Sequence, residues 1–143
     1  MSDNPTTLQF IDTNILVYAF DFTAEYKREI AKTLVEQYWE TRTGCLSLQV
    51  LEEFYVNVTQ KIPHPLNRGI ARQLVSDLAY WRLHVPEVED VLKAIDLQNT
   101  YLLSFWDAMI LQSALRMRCA QLITEDLSHG KTYEGVQVVN PFA

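Results

Sequence analysis

The chain has 143 residues, 48% of them apolar and 21% charged; this is the make-up of an ordinary globular protein, and Gly and Pro are too sparse for a fibrous or disordered one. A net charge of −6 excludes a protein that coats nucleic acid by charge alone, but not an enzyme that cuts it, because a cation in an acidic pocket inverts the local potential. The length predicts one domain, residues 1–143; a polar, acidic start and the lack of any apolar run near the ~18 residues of a membrane span predict a cytoplasmic protein with no signal peptide and no membrane contact.

Leu8-Gln9-Phe10-Ile11 reads as a strand that delivers Asp12-Thr13-Asn14 to its carboxyl end, and residues 14–20 follow at helical spacing. An acid at that point sits where open α/β sheets bind ligands. An Asx-turn or a helix N-cap would explain it equally well. Residues 24–40 predict a longer helix with Ile30, Ala31, Leu34, Val35 and Tyr38 on one face and Lys27, Arg28 and Lys32 in its first turns. Gly44-Cys45-Leu46 is a short strand, and Ser47 caps a helix through Gln49, Leu51, Phe54, Tyr55 and Val58 that Pro63 and Pro65 end. Asn67 caps the next helix, in which Ile70, Ala71, Leu74, Val75, Leu78 and Trp81 are in phase.

Residues 83–85 are a further strand, and residues 86–98 resume helical periodicity. Ser104 opens a helix over residues 105–118, and Ser104-Phe105-Trp106-Asp107 matches the capping-box pattern, in which Asp107 reaches back to the Ser104 backbone. Residues 121–124 form a strand ending in Glu125-Asp126, Gly130 and Gly135 punctuate a loop, and residues 136–139 are the last strand. Short strands alternating with helices imply an α/β fold with a mostly parallel sheet of about five strands covered on both faces. Cys45 and Cys119 lie far apart with no ligand cluster around them, so they read as small buried hydrophobes and not as a zinc site.

Four acids gain meaning together. Asp12 and Asp126 end strands, while Glu53 and Asp107 sit in the first turns of helices. Each alone has an ordinary explanation as a turn, a cap or a solvated charge. At one edge of a parallel sheet all four can converge. Two carboxylates ~4 Å apart repel by about 4 kcal/mol at an effective dielectric near 20, so such a cluster requires a proton, a basic residue or a cation. Oxygen ligands without His or Cys select hard cations such as Mg²⁺ or Mn²⁺, and phosphodiester hydrolysis is the chemistry they suit.

The segments Phe10-Ile-Asp-Thr-Asn-Ile-Leu-Val-Tyr18, Leu48-Gln-Val-Leu-Glu-Glu-Phe54, Leu103-Ser-Phe-Trp-Asp-Ala-Met-Ile110, Leu122-Ile-Thr-Glu-Asp-Leu127 and Val138-Val-Asn-Pro-Phe142 resemble PIN-domain ribonucleases, in particular the VapC-type toxins of toxin–antitoxin pairs. The resemblance implies a PIN fold with a five-stranded parallel sheet, a homodimer, an RNA substrate, a cognate antitoxin, and Mg²⁺ or Mn²⁺. It assigns Asp12, Glu53, Asp107 and Asp126 as catalytic acids, with Asp12 and Asp107 as direct metal ligands, and gives Ser104 and Thr13 or Asn14 an orienting role. Glu52 and Glu125 compete with Glu53 and Asp126.

Two cationic groups, Lys27, Arg28 and Lys32, and Arg116, Arg118 and Lys131, are candidates for holding the RNA strand. Trp39, Trp81 and Trp106 fall among apolar neighbours at helical positions and are assigned to the core in preference to base stacking. His129 near Asp126 is not needed as a base, and His64 and His84 have no acidic or nucleophilic partner in the sequence. Two other readings are a PIN-like module that binds RNA or protein without cutting, and a haloacid-dehalogenase-like phosphatase. The phosphatase requires an acid two residues after Asp12, where this chain has Asn14.

Overall fold

A computed structural model describes residues 7–143, so most of the polar N-terminal stretch lies outside the described residues. The elements are β1 (Gln9–Ile11), α1 (Thr13–Tyr18), α2 (Tyr26–Thr41), β2 (Gly44–Ser47), α3 (Leu48–Val56), α4 (Arg68–Leu78), β3 (Arg82–His84), α5 (Val88–Tyr101), α6 (Phe105–Arg116), β4 (Gln121–Ile123), β5 (Thr132–Tyr133) and β6 (Val136–Val139). All strands pair into one sheet in the order β3-β2-β1-β4-β6-β5, parallel except for β5 against β6.

The order explains where a site can form. From β1 the chain moves outward through β2 and β3, then returns to lay β4 and β6 on the other side of β1. The two directions of winding part between β1 and β4, which pair in register Phe10↔Leu122 and Ile11↔Ile123. A crevice opens at such a switch point, outside the carboxyl ends of the strands. Short apolar strands suit this sheet because both faces are covered: Phe10, Ile11, Leu46, Leu122 and Val138 are buried together with Ile15, Leu16, Phe54 and Leu111 from the helices.

The sheet has six strands, one more than the periodicity predicts. The additional β5 turns into β6 through Glu134-Gly135, both with positive φ (49° and 92°), a two-residue hairpin turn in which the left-handed conformation falls easily on Gly135 and at a cost on Glu134. On the other side of β1, at the start of β2, Gly44 is required by close approach: an added Cβ would lie 2.8 Å from the Trp81 ring and 3.0 Å from Tyr38 Cβ. Trp81 follows α4 instead of belonging to it, and packs its ring edge-on to Trp39 at 5.6 Å. The predicted core role therefore holds for Trp39 and Trp81. Cys45 and Cys119 are buried thiols, as expected.

The helix from Ser47 also departs from a plain α-helix. Its α-helical part stops at Val56, and Asn57–Lys61 continue as a π-helical turn. Such turns are uncommon and occur often beside functional sites. Here the turn extends the wall of the crevice towards Lys61.

Candidate active site

The crevice at the switch point is a cleft of about 590 Å³ whose lining includes Asp12, Glu53, Asp107 and Asp126. Each acid arrives from a different element. Asp12 directly follows β1 and caps α1, because its extended backbone lets Oδ1 accept from the Thr13 N–H at 2.7 Å. Its other oxygen accepts from the Thr124 hydroxyl at 2.8 Å. The capping explanation and the site explanation thus hold for one carboxylate, using different lone pairs. The Asp12 carboxyl is pushed up to about 7, chiefly by burial, with the hydrogen bonds from Thr124 and Thr13 opposing the rise and the charges of Asp126 and Glu53 adding to it. Among the described residues no cation stands within ion-pair distance of it.

Glu53 is held by α3 and oriented from both sides. Its oxygens accept from the Thr13 hydroxyl at 2.7 Å and from Gln49 Nε2 at 3.3 Å. Glu52 also borders the cleft, yet it is exposed and no described side chain positions it. The geometry therefore favours Glu53.

Asp126 is fixed by Asn14, whose Nδ2 donates to it at 2.9 Å. Burial raises its pKa; Asn14 opposes this, and the charges of Asp107 and Glu125 add to it. Its neighbour Glu125 is held elsewhere, accepting from the Tyr18 hydroxyl and pairing with Lys27 at 2.9 Å.

Asp107 lies in the first turn of α6, where the Ser104 hydroxyl accepts from the Asp107 N–H at 3.1 Å. The reciprocal half of the predicted box is not made: among the described residues the Asp107 carboxylate accepts no hydrogen bond and borders the cleft. The contrast with α5 is direct, since there Asp90 does reach back, accepting from the Glu87 N–H at 2.8 Å.

Thr124 ties the site together. It donates to Asp12 and accepts from the Asp126 N–H at 3.1 Å and from Asn14 Nδ2 at 3.3 Å, so one hydroxyl couples the ends of β1 and β4. Sequence reasoning passed over it, although a Thr two residues before Asp126 at a strand end was the available signal. Gln49 likewise carries no sequence signal beyond its place in the helix. Both Asn14 and Gln49 direct their NH₂ groups at acceptors, which fixes their amide orientation and leaves Asn14 Oδ1 and Gln49 Oε1 buried without a donor. Buried acceptors left in this way carry a desolvation penalty of about 1–3 kcal/mol each.

The cleft is thus short of positive charge and of donors, and its chemistry matches a hard cation: carboxylate and amide oxygens with no thiol or imidazole among them. In their present arrangement no three His, Cys, Asp or Glu side chains among the described residues are grouped closely enough to hold a metal ion. Like charges without a counter-ion are driven apart, and three of the four carboxylates are drawn to Thr, Asn or Gln donors instead.

The cationic candidates fare differently from expectation. Lys27 is committed to Glu125, Arg28 stacks on Phe22, Arg116 reaches Asp90 and Glu87 at 3.7 Å, and Lys131 lies over Tyr133. None of the six borders the acidic cleft; its one described cation is Lys61, at the end of the π-helical turn. Trp106 is a second correction. It is 61% exposed and lines the cleft instead of packing in the core, because the core-facing positions of α6 are Ala108, Ile110, Leu111 and Ala114. Contrary to the sequence reading, His84 has an acidic partner six residues on, Asp90 at 3.2 Å, and a hydroxyl partner on α6, Ser113 at 2.8 Å. His129 accepts from the Asn140 N–H at 2.9 Å and stands outside the cleft.

A family model described as PIN domain matches residues 10–134. No curated protein matches the sequence. The chain is similar to a protein solved in a toxin–antitoxin complex from Klebsiella pneumoniae, with a TM-score of 0.70, 23% identity, and coverage of 93% of this chain and 97% of that one. It is also similar to Mycobacterium tuberculosis VapC20, a sarcin–ricin loop cleaving toxin, with a TM-score of 0.59, 15% identity, and coverage of 80% and 86%. At these identities the likeness is one of fold.

Proposed function

The chain belongs to the PIN domain family, and on that premise we propose that it is a metal-dependent endoribonuclease, the toxin of a toxin–antitoxin pair. The observation that carries this reading is the gathering of Asp12, Glu53, Asp107 and Asp126 from four elements into one cleft at the switch point of the sheet. The proposal takes residues 1–143 as one PIN domain in the cytoplasm. Among the described residues no helix is long and apolar enough to cross a membrane.

Asp12 and Asp107 would hold Mg²⁺ or Mn²⁺ directly, and Glu53 and Asp126 would complete the set. The donor chemistry fits: these are oxygen ligands, and Glu53 and Asp126 now rest on Thr13, Gln49 and Asn14. Such a cation supplies an activated water and neutralises charge growing on the phosphate. The chain's own residues orient the acids: Thr124 and the Thr13 N–H fix Asp12, Thr13 and Gln49 fix Glu53, and Asn14 fixes Asp126. Asn14 donates an amide to Asp126 and has no acidic proton to give, which removes the support for a phosphatase that uses Asp12 as nucleophile.

Partners follow from the same reading. A cognate antitoxin would be a small protein encoded beside this chain. A second copy of the chain would make a homodimer, in keeping with Val88, Leu92 and Ile95, which α5 leaves exposed at helical spacing. The test is cleavage. Metal-free protein is mixed with structured RNAs, including ribosomal and transfer RNA, and Mg²⁺ or Mn²⁺ is added with and without chelator. Cleavage that depends on the metal is the expected result. Its absence with every RNA, alongside RNA binding, would leave a PIN module that binds without cutting.

A further inference from the structure

Resting on the ribonuclease reading, we propose that Trp106 is the platform on which an unpaired base of the substrate stacks, immediately beside the acid cluster. A tryptophan is a large ring to leave 61% in solvent. This one is not at a random point on the surface: it lines the acidic cleft and directly precedes Asp107. The main chain that carries the ring is fixed: the Trp106 backbone carbonyl accepts from Gln49 Nε2 at 3.4 Å, and Ser104 caps the turn. Phe105 meets the ring edge-on at 5.0 Å. Main chain ordered before binding leaves less freedom to lose on contact.

Its surroundings divide the work of holding a nucleotide. Carboxylates and the cations they attract deal with phosphate, and Lys61 contributes one positive charge at the far end of the same wall. Gln49, which contacts the Trp106 carbonyl, and Lys61 stand near opposite ends of the helix formed by α3 and its π-helical turn, so a strand can run along α3 with its backbone near Lys61 and a base reaching Trp106. Val56 and Ile110 in the lining add apolar cover for that base. Every base has a stackable face, so the platform selects for unpaired nucleotides and not for one sequence.

The experiment uses an Asp12→Asn background, to suppress cleavage, with Mg²⁺ present. The probes are a short oligouridylate and a chain of the same length and charge in which every base is absent. Stacking predicts that the oligouridylate binds about 5- to 150-fold more tightly than the abasic chain and quenches the exposed tryptophan emission. Trp106→Ala should remove that preference and leave the abasic affinity where it was; Trp106→Phe should keep most of it. Melting curves check that both variants fold. If Trp106→Ala leaves both affinities as they were, the ring belongs to another partner, such as a protein, and the proposal is overturned. It is overturned as well if both affinities fall equally. Should neither chain bind while the wild type still cleaves RNA with Mg²⁺, this inference alone fails; should the wild type neither bind nor cleave, the ribonuclease reading fails with it.

Discussion

Asp12 and Asp90 are nearly equally hidden from solvent, 6% and 1% exposed, and their surroundings act in opposite directions. Around Asp90 burial would raise the pKa, but the Glu87 N–H, the Gln112 amide, His84 and Arg116 together bring it below the ordinary value. The Gln112 and His84 contacts measure 3.0 and 3.2 Å. Around Asp12 two hydrogen bonds are outweighed by burial and by neighbouring carboxylates. Burial alone therefore distinguishes nothing. A hidden acid whose partners are complete ties α5, α6 and β3 together, whereas a hidden acid short of positive charge marks a place where charge is to be supplied. Glu125 and Asp126 repeat the contrast on adjacent residues, one neutralised by Lys27 and the other left facing Asp107.

Replacing each acid breaks the comparison most sharply. Asp12→Asn should lower cleavage by on the order of 10³-fold, since a cation's grip on the developing charge is worth several kcal/mol. The metal-free fold should melt no lower than the wild type, because a repelled carboxylate has been removed. Asp90→Ala should do the reverse. It leaves His84, Gln112 and Arg116 facing an empty position and costs about 3–5 kcal/mol of stability, while cleavage per folded molecule is retained. Urea unfolding and an initial-rate assay on both variants decide; equal loss of stability in the two would undo the distinction.

Smaller effects come from the residues that aim the carboxylates. Asn14→Ala and Thr124→Val should each weaken cleavage or metal affinity about 10- to 100-fold, measured as the Mg²⁺ concentration giving half-maximal rate. The corresponding change beside Asp90, Ser113→Ala, removes only the hydroxyl that bonds His84 at 2.8 Å. It should cost about 1 kcal/mol of stability and leave the metal response unchanged.

Much of this was legible in the sequence for identifiable reasons. Strand ends place Asp12 and Asp126, and the helix directly after β2 places Glu53, at one sheet edge, because a parallel sheet sends all its carboxyl ends the same way; Asp107 joins them on α6, which follows α5 and not a strand. The choice between neighbours was not legible. Glu53 differs from Glu52, and Asp126 from Glu125, only through contacts with Thr13, Asn14, Lys27 and Tyr18, up to 112 residues away. The β5–β6 hairpin was missed because Glu134-Gly135 lacks the usual Asn-Gly or Asp-Gly signature. Trp106 was misassigned because helical phase counts apolar residues without weighing which face the neighbouring elements leave open. Lys61 was hidden behind the π-helical turn, which rotates the helix in a way no regular period anticipates.

The pH dependence of stability separates the two acids without any assay of activity. In metal-free protein Asp12 has a folded pKa of about 7 against 3.8 when unexposed to these neighbours. Across that window the folded state holds a proton that the unfolded state has lost. Stability must then fall as pH rises from 3.8 to about 7, with a slope bounded at about 1.4 kcal/mol per pH unit. Asp126, also raised, adds in the same direction. Asp90 has the opposite sign. Its folded pKa lies below 3.8, so its contribution is complete above that value and is lost as pH falls through the folded one. Asp12→Asn should flatten the decline between 3.8 and about 7 and leave the acid limb intact, while Asp90→Asn should do the converse. Saturating Mn²⁺ should also flatten the decline in the wild type, because a bound cation takes the place of the proton and stabilises the folded state by mass action. An Asp12→Asn variant whose stability still falls across that window as steeply as the wild type's would show that Asp12 is neutralised within the fold, as Asp90 is.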